Sequence, residues 1–223
     1  VVLIGNNPAS EVYVKNKITT ANKNNINSLK ITFSNEVHEN ILLDKIIELN
    51  NNPDVHGILV QLPLPKHISE KLVIQTINPE KDVDGFHPTN YGNLFMGSPS
   101  FIPCTPLGCF YMLKKEIPDL TGKNAVIIGR SNIVGKPMAS LLLSSNCTVT
   151  IAHSKTINLI ETCKKADILI AAIGKPEMIN EGYIKKNAII IDVGINSIDD
   201  ETKKMGYRLV GDTDYQDIID NND

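Results

Sequence analysis

The sequence lacks the paired cysteines and histidines that build metal centres and disulfide frameworks. No two of its four cysteines form C-x-x-C, and its five histidines contain no H-x3-H spacing. We therefore expect no metal site and no disulfide framework, and we expect a reducing compartment.

Long hydrophobic runs and an excess of one charge are also absent. No apolar run approaches the length that crosses a bilayer. The 22 basic and 25 acidic residues are mixed along the chain and give a net charge of −3, which leaves no basic surface for nucleic acid or membrane. We expect a cytoplasmic globular protein. An organelle stays open, because the chain begins at Val1 inside an apparent strand and not at a Met.

The first part of the chain alternates short apolar runs with helical patterns. This alternation predicts a parallel sheet with helices on its faces. The predicted elements are strands at 1–5, 30–34 and within HGILVQLPLP, and helices over 11–24 (with Ser10 as N-cap), 36–50 and 69–77.

A stretch rich in Gly, Pro, Asn and Asp, residues 78–106, predicts a functional loop or a domain connection. The alternation then restarts, with helices over 107–116, 133–145 and 157–165 and strands in NAVIIG, TVTIAH, DILIAAIG, AIIIDVGI and MGYRLVGD. We predict two α/β domains. Residues 1–105 form a three-layer domain that is incomplete at its start, and residues 106–223 form a Rossmann-like domain with a parallel sheet.

The stretch VIIGRSNIVGKP has the order of a dinucleotide-binding strand, loop and helix. Gly129 ends the strand and Gly135 opens the helix, where a side chain would obstruct close packing or a phosphate. Ser131 and Val134 stand where the G-x-G-x-x-G pattern has its second and third glycines. A tight turn without a ligand is therefore the alternative interpretation.

The next strand indicates which dinucleotide binds. An NAD site carries an acidic residue about 20 residues after the loop, but TIAHSKT offers His153, Ser154 and Lys155 there. Arg130, one of only two arginines, lies beside the loop. A guanidinium can bind a phosphate through two hydrogen bonds, and Ser154 can donate another. We favour this interpretation over a solvated surface arginine, which makes the cofactor NADP.

Polar residues of the first domain allow a catalytic interpretation. Tyr13 and Lys17 lie one helical turn apart at the edge of an apolar stripe, where a lysine is partly desolvated and suited to proton transfer. Gln61 follows GILV at the carboxyl end of a predicted strand, where ligands collect. Asp84 lies beside Gly85 in KDVDGFHP. The structural alternatives are a surface lysine beside a packing tyrosine, a glutamine that ties down a turn, and a turn aspartate.

The Tyr-x3-Lys spacing also occurs in short-chain dehydrogenases. In that class the nucleotide loop precedes the pair, near the start of the chain. Here the loop follows Lys17 by more than a hundred residues, so the order of the motifs excludes the class.

The order of six motifs is similar to that of a known family. NPASxxYVxxK, GILVQLPLP, EKDVDGFHP, FIPCTP, GRSNIVGKP and DVGIN follow one another along essentially the whole chain. The chain resembles the bifunctional methylenetetrahydrofolate dehydrogenase/cyclohydrolase family. The resemblance implies an active site between a catalytic domain and an NADP-binding domain. It also implies oxidation of 5,10-methylenetetrahydrofolate to the methenyl form with NADP, followed by hydrolysis to 10-formyltetrahydrofolate.

The resemblance also implies roles for individual residues. Lys17 would be the central catalytic lysine, Tyr13 would stack on or orient the folate, Gln61 would position Lys17, and Asp84 would anchor the pterin edge. Arg130, Ser131 and Ser154 would hold the region of the 2′-phosphate of NADP. The residues that would line the nucleotide are Gly129, Ile133, Val134, Gly135, Gly174 and Ile195.

The resemblance further implies a homodimer formed through the nucleotide domain. Family members have a helix before the region matching Val1, and a Gly- and Pro-rich folate segment with a closing helix after the region matching Asp223. We therefore expect this chain to be a part of such a protein, which leaves the full activity of these residues open. Two alternatives remain: another NADP-dependent dehydrogenase, and an NADP-binding protein without catalysis.

Overall fold

The computed structural model describes residues 1–203 and 205–221 and divides the chain into two compact units. Unit 1 comprises Val1–Asn93 with Pro99–Ile102, and unit 2 comprises Leu94–Ser98 with the chain from Pro103 onward. The domain boundary at residue 105 stays a prediction. The predicted second domain includes residues 204, 222 and 223, which lie outside the described residues.

Unit 1 is built from short parallel strands and helices. In chain order these are β1 Val2–Ile4, α1 Pro8–Lys23, β2 Ile31–Phe33, α2 Glu39–Asn51, α3 Glu70–Thr76 and α4 Pro88–Met96, whose last residues belong to unit 2. β1 and β2 pair in parallel. Among the described residues, the segment predicted as a strand in HGILVQLPLP makes only the isolated parallel bridges Val2↔Val60 and Ile58↔Asp82. The prolines that follow have no N–H with which to extend a ladder.

One apolar core holds unit 1 together. Leu42, Ile46 and Leu49 recur on one face of α2 and are buried, as a helix packed against a sheet requires. They join Val2 and Ile4 of β1 in the same cluster. Ile58 and Val60 belong to the same cluster, so this core fixes the segment around residue 60 against β1.

Helix α1 begins earlier than predicted. Its N-cap is Asn7, whose side chain accepts a hydrogen bond from the Ser10 backbone N–H at 3.1 Å. The prediction of Ser10 as the cap was wrong, since Ser10 lies buried in the first turn. Pro8 occupies the first helical position, where the missing N–H would have had no partner in any case.

The sequence predicted a loop or domain connection over residues 78–106. The structure instead has helices within this stretch. α4 occupies Pro88–Met96, and the next helix begins at Cys104 instead of residue 107. Proline in the first turn explains both differences. Pro88 and Pro106 stand where a helix tolerates proline, although a proline within a sequence usually indicates a break.

Unit 2 contains the second alternation. Its elements are α5 Cys104–Glu116, β3 Asn124–Ile128, α6 Gly135–Ser144, β4 Thr148–Ala152, α7 Leu159–Cys163, β5 Ile168–Ala171, a 3-10 turn at Glu181–Tyr183, β6 Ile189–Asp192, β7 Asn196–Asp199, β8 Tyr207–Val210 and α8 Tyr215–Asn221. The strands β4, β3, β5 and β6 pair in that order, all in parallel. The predicted α/β class with a parallel sheet is confirmed.

The sheet of unit 2 is covered on both faces. Ala125, Ile127, Ile168 and Ile170 belong to one buried cluster, and the residues that alternate with them belong to a second. Side chains of a strand point alternately to opposite faces, so a strand buried on both faces is apolar throughout. This explains the unbroken apolar runs AVII and ILIA.

The sequence analysis did not predict three elements of unit 2, and it predicted one helix longer than the structure shows. The 3-10 turn, β7 and α8 were not predicted, whereas the strand in MGYRLVGD is confirmed as β8 and pairs antiparallel with β7. Helix α7 is shorter than the predicted 157–165, since Asn158 adopts a left-handed conformation with φ +55° before it.

All four cysteines are free thiols, with Cys104 exposed and the other three buried. Burial raises the pKa of the Cys163 thiol to about 11, so this thiol is protonated and unreactive at neutral pH. Within residues 1–203 and 205–221, no helix has both the length and the apolar character needed to cross a membrane.

Candidate functional site

The predicted cofactor residues of unit 2 follow the carboxyl ends of its four parallel strands. The segment Gly129–Gly135 follows β3, Ser154 follows β4, Gly174 follows β5 and Ile195 follows β6. After β3 the chain forms β4 on one side of β3, and it then crosses over to form β5 on the other side. Nucleotides bind in sheets of this kind where the strand order reverses, outside the carboxyl ends.

The loop after β3 owes its shape to two glycines and a serine. Gly129 has φ +134°, and a Cβ there would lie 2.1 Å from the Ala172 carbonyl oxygen; a Cβ at Gly135 would lie 2.2 Å from the Gly129 oxygen. The Ser131 hydroxyl oxygen accepts hydrogen bonds from the N–H groups of Val134 (3.1 Å) and Gly135 (3.3 Å). Close backbone packing therefore requires glycine at both positions, and Ser131 fixes the turn between them.

Exposed cationic and hydroxyl groups surround this loop. Arg130 and Ser154 are exposed, and within the described part of the chain no hydrogen bond or ion pair of Arg130 is found. The turn that presents Ser154 is held by His153, whose N–H donates to the Thr156 hydroxyl at 2.8 Å and whose Nδ1 accepts from the Lys155 N–H at 3.1 Å. Arg130 and Ser154 each lie two residues beyond the paired strand ends Ile128 and Ala152, and an unpaired guanidinium together with a hydroxyl is suited to a phosphate group.

The strands on the other side of the reversal expose backbone and an apolar side chain. Gly174 has φ +70°, and no atom lies within 4 Å of the position of a Cβ. Ile195 is 68% exposed. Together with the unpaired Arg130 and the two serines, these residues fit a phosphorylated dinucleotide, which needs phosphate donors and open surfaces for its rings.

In unit 1 the fold brings Lys17 and Gln61 together. The Lys17 Nζ donates a hydrogen bond to the Gln61 Oε1 at 3.2 Å. The Gln61 amide in turn donates to the Leu62 carbonyl at 2.8 Å, and its backbone N–H donates to the Val2 carbonyl at 2.9 Å. Gln61 is thus held at both its backbone and its side chain, and its oxygen fixes the position of the lysine amine.

The pKa of Asp84 is affected by the charge of Lys17. Burial raises the pKa of the Asp84 carboxyl above its ordinary value, the Lys17 charge opposes this effect, and the Asp82 charge adds to it. The polar groups of Lys17 and Asp84 therefore lie in one electrostatic environment, with Gln61 bound to the first of them.

Two supporting residues of this site were missed by the sequence analysis. Asp82 is 2% exposed, and its carboxylate accepts hydrogen bonds from the His87 N–H (2.7 Å) and the Asn90 side-chain amide (3.0 Å). These bonds close the turn that carries Asp84. The available signal was the first aspartate of KDVD, two residues before Asp84.

Tyr13 lies on the same helix as Lys17 and is 48% exposed. Both residues line an open depression of about 490 Å³. A larger depression of about 780 Å³ lies between Asn78 and Phe101, and its lining includes neither residue. The exposed ring beside the lysine is placed where a flat substrate could stack on it.

The fold and these residues define an α/β protein in which unit 2 has the features of a dinucleotide-binding unit and unit 1 carries a lysine–glutamine pair. Residues 1–84 match the family model for the catalytic domain of tetrahydrofolate dehydrogenase/cyclohydrolase, and residues 103–222 match the model for its NAD(P)-binding domain. The chain belongs to the tetrahydrofolate dehydrogenase/cyclohydrolase family, which confirms the resemblance inferred from its motifs.

Individual relatives agree with this assignment. The chain is 55% identical to a bifunctional protein FolD of Wolbachia pipientis wMel, over 98% of this chain and 73% of that protein. The crystal structure of the bifunctional FolD of Campylobacter jejuni matches with a TM-score of 0.92 and 44% identity, over 97% of this chain and 75% of the other. The Trypanosoma brucei enzyme, complexed with NADP and an inhibitor, matches with a TM-score of 0.91 and 33% identity, over 97% and 74%.

The raised pKa of Asp84 predicts how Asp84→Asn changes stability with pH. The folded protein holds this proton more tightly than the unfolded chain does, so ionised Asp84 costs stability, and the cost appears as pH rises from 3.8 through the folded pKa. We expect Asp84→Asn to gain stability relative to the wild type as pH rises to neutral. Urea unfolding followed by circular dichroism over this pH range measures the difference.

Asp119→Asn is the matched control for this titration. The Thr121 N–H bonds the Asp119 carboxylate at 3.0 Å and lowers its pKa, so its stabilisation is present above the unfolded pKa and is lost as pH falls through the folded one. Asp119→Asn should therefore lose stability relative to the wild type as pH rises. Parallel pH curves for Asp84→Asn and the wild type would refute the argument for Asp84.

Proposed function

We propose that this protein oxidises 5,10-methylenetetrahydrofolate to 5,10-methenyltetrahydrofolate with NADP and then hydrolyses that product to 10-formyltetrahydrofolate. The hydrogen bond between Lys17 and Gln61 carries the proposal. It places a positioned amine in the unit that matches the catalytic-domain model, while the other unit matches the NAD(P)-binding model. Solved structures whose names give both activities align along nearly the whole chain.

For the oxidation, the main task of the protein is to orient the folate carbon relative to the cofactor. The hydride leaves a carbon that is bonded to two nitrogens, so the cation that remains is delocalised and no base has to remove a proton. Bound NADP supplies the hydride acceptor. In unit 1 the task of the chain is to hold the folate, for which we assign Tyr13 to its ring system and Asp84 to the pterin edge, where a carboxyl group can meet two N–H donors.

The hydrolysis needs proton transfer. Water adds to the methenyl carbon and releases one proton. The carbon–N5 bond then breaks as N5 gains a proton and the hydroxyl on the carbon loses its own, which leaves the formyl group on N10 and one proton released overall. Lys17 is the group assigned to move these protons, and Gln61 holds its Nζ in place. Lys17 is half-buried and lines the open depression that Tyr13 also lines.

The cofactor residues belong to the same proposal. Arg130, Ser131 and Ser154 bind the region of the 2′-phosphate, since the guanidinium is unpaired within the described residues and the exposed Ser154 follows the end of the neighbouring strand. The surfaces along the nucleotide are assigned to Gly129, Ile133, Val134, Gly135, Gly174 and Ile195. Another NADP-dependent dehydrogenase would explain unit 2 alone, and a non-catalytic binding protein would leave the Lys17–Gln61 pair without a task.

The proposal also includes a homodimer and a cytoplasmic location. β4 is the outer strand of the sheet of unit 2, so its free backbone groups can pair with a second copy, and Ile151 on it is 39% exposed. Free cysteine thiols fit a reducing compartment. Sedimentation equilibrium tests the dimer, and a monomer at working concentrations would contradict it.

The direct experiment supplies the purified protein with methylenetetrahydrofolate and either NADP or NAD. Formation of NADPH at 340 nm measures the oxidation, and loss of the methenyl absorbance with added methenyltetrahydrofolate measures the hydrolysis. Both activities are expected, with NADP preferred. NADP binding without either turnover would favour the non-catalytic alternative.

Lys17→Met is predicted to abolish the hydrolysis of methenyltetrahydrofolate. Loss of a general acid–base group costs about 10² to 10⁴ in rate, whereas hydride removal needs no base and should fall by a smaller factor. Lys15→Met is the matched control, because Lys15 is an exposed lysine of the same helix. Hydrolysis at the wild-type rate in Lys17→Met would remove this lysine from the mechanism.

Arg130→Ser is predicted to raise KM for NADP about 10- to 100-fold, the loss of a charged hydrogen-bonding group, and to leave KM for NAD nearly unchanged. Arg208→Ser is the control with the other arginine of the chain, whose guanidinium bonds Glu177 at 3.2 Å. Equal effects of Arg130→Ser on both cofactors would contradict the assignment to the 2′-phosphate.

A further inference from the structure

A buried carboxylate of unit 2 lies behind the segment that follows β5. Asp212 comes shortly after β8 and is 0% exposed. Its carboxylate accepts hydrogen bonds from three successive backbone N–H groups, those of Ile173 (2.6 Å), Gly174 (3.0 Å) and Lys175 (2.9 Å). One side chain therefore fixes the direction of the backbone around Gly174.

The same carboxylate also holds the segment after β6. The Asn196 side-chain amide donates to the Asp212 Oδ1 at 2.9 Å and to the Gly211 carbonyl at 3.1 Å. A Cβ at Gly194 would lie 2.5 Å from the Asp212 carboxyl carbon, so only glycine lets this segment approach so closely. The chain following β5 and the chain following β6 thus meet on one residue.

Asp192, the last residue of β6, fixes Asp212 in turn. Its Oδ1 accepts hydrogen bonds from the N–H groups of Gly194 (2.8 Å) and Asp212 (3.0 Å). Its Oδ2 accepts from the Thr213 N–H (2.9 Å) and the Thr213 hydroxyl (2.6 Å). The backbone of Asp212 is therefore anchored to a sheet strand on one side while its side chain anchors two segments on the other.

The hydrogen bonds of Asp212 account for its burial. A carboxylate offers about four acceptor sites, and four donors are present: three backbone N–H groups and the Asn196 amide. Within the described residues no cation pairs with Asp212. Three backbone N–H groups and one side-chain amide therefore satisfy the buried carboxylate, and they do so only in this backbone arrangement.

We propose that Asp212 is a positioning residue for the cofactor, one that sets the backbone of the segments after β5 and β6 against which the dinucleotide binds. The inference rests on the proposed function, which assigns Gly174 and Ile195 to the cofactor. Gly174 donates its N–H to Asp212 and leaves its other side open. Asn196, which bonds Asp212, directly follows Ile195.

Asp212→Asn tests the inference. The amide keeps the size of the carboxyl but has one acceptor oxygen, and its NH₂ would face backbone N–H donors, so about half of the four bonds are lost. Isothermal titration should show an NADP Kd at least about tenfold higher, and the Gly174 amide should exchange hydrogen faster. Hydrolysis of added methenyltetrahydrofolate without NADP should change by less than about threefold, whereas general destabilisation would lower both.

Asp167→Asn is the matched control. Asp167 precedes β5 at the opposite end of the same strand, and it accepts a hydrogen bond from the Asn124 N–H (2.9 Å) and one from the Lys185 amine. Its loss removes comparable hydrogen bonds from unit 2 and should leave the NADP Kd within about twofold of the wild type.

Asn196→Ala keeps the test decisive if Asp212→Asn does not fold, because it removes only one of the four donors to Asp212. It should raise the NADP Kd in the same direction by a smaller factor, about threefold. If the wild type binds NADP and the folded variants bind it with the same Kd, the proposed role of Asp212 is wrong. A wild type that does not bind NADP would instead overturn the proposed function.

Discussion

Parallel strand pairing is the constraint on which both units depend. Parallel strands end at the same edge of a sheet, so the residues that follow them meet there although they are distant in the chain. In unit 2 this constraint gathers Gly129, Ser154, Gly174 and Ile195 at one edge. In unit 1 it carries Gln61 past the end of its bridge to β1, where it receives the Lys17 amine.

Hydrogen bonds fix the polar groups at these edges, and each buried polar side chain among the described residues has a hydrogen-bond partner. Asp82 holds the turn of Asp84, Gln61 holds Lys17, and Asp212 holds the segment after β5. Each arrangement positions a group before any substrate arrives, and catalysis by orientation and proton transfer requires this preorganisation. The folate chemistry thus depends on few residues, with a larger set of carboxylates and amides behind them.

Local sequence predicted what local physics determines. The apolar runs around Ile127 and Ile170 gave buried strands, and Gly129 and Gly135 marked a tight loop, since each signal lies within one element. The Asn7 cap and helix α4 were missed because Pro8 and Pro88 suggest breaks as readily as helix starts. The role of Asp212 could not be predicted, because its backbone partners lie more than 35 residues away. The Lys17–Gln61 pair was expected only through the family resemblance.

The central claim is that Gln61 acts by holding the Lys17 amine. A double-mutant cycle with Lys17→Met, Gln61→Ala and both changes, measured as the rate of methenyltetrahydrofolate hydrolysis, tests it most directly. The account predicts that Gln61→Ala slows the wild type about tenfold or more and has almost no effect when Lys17 is already replaced. The same factor of loss in both backgrounds would show that the two residues act independently and would contradict the account.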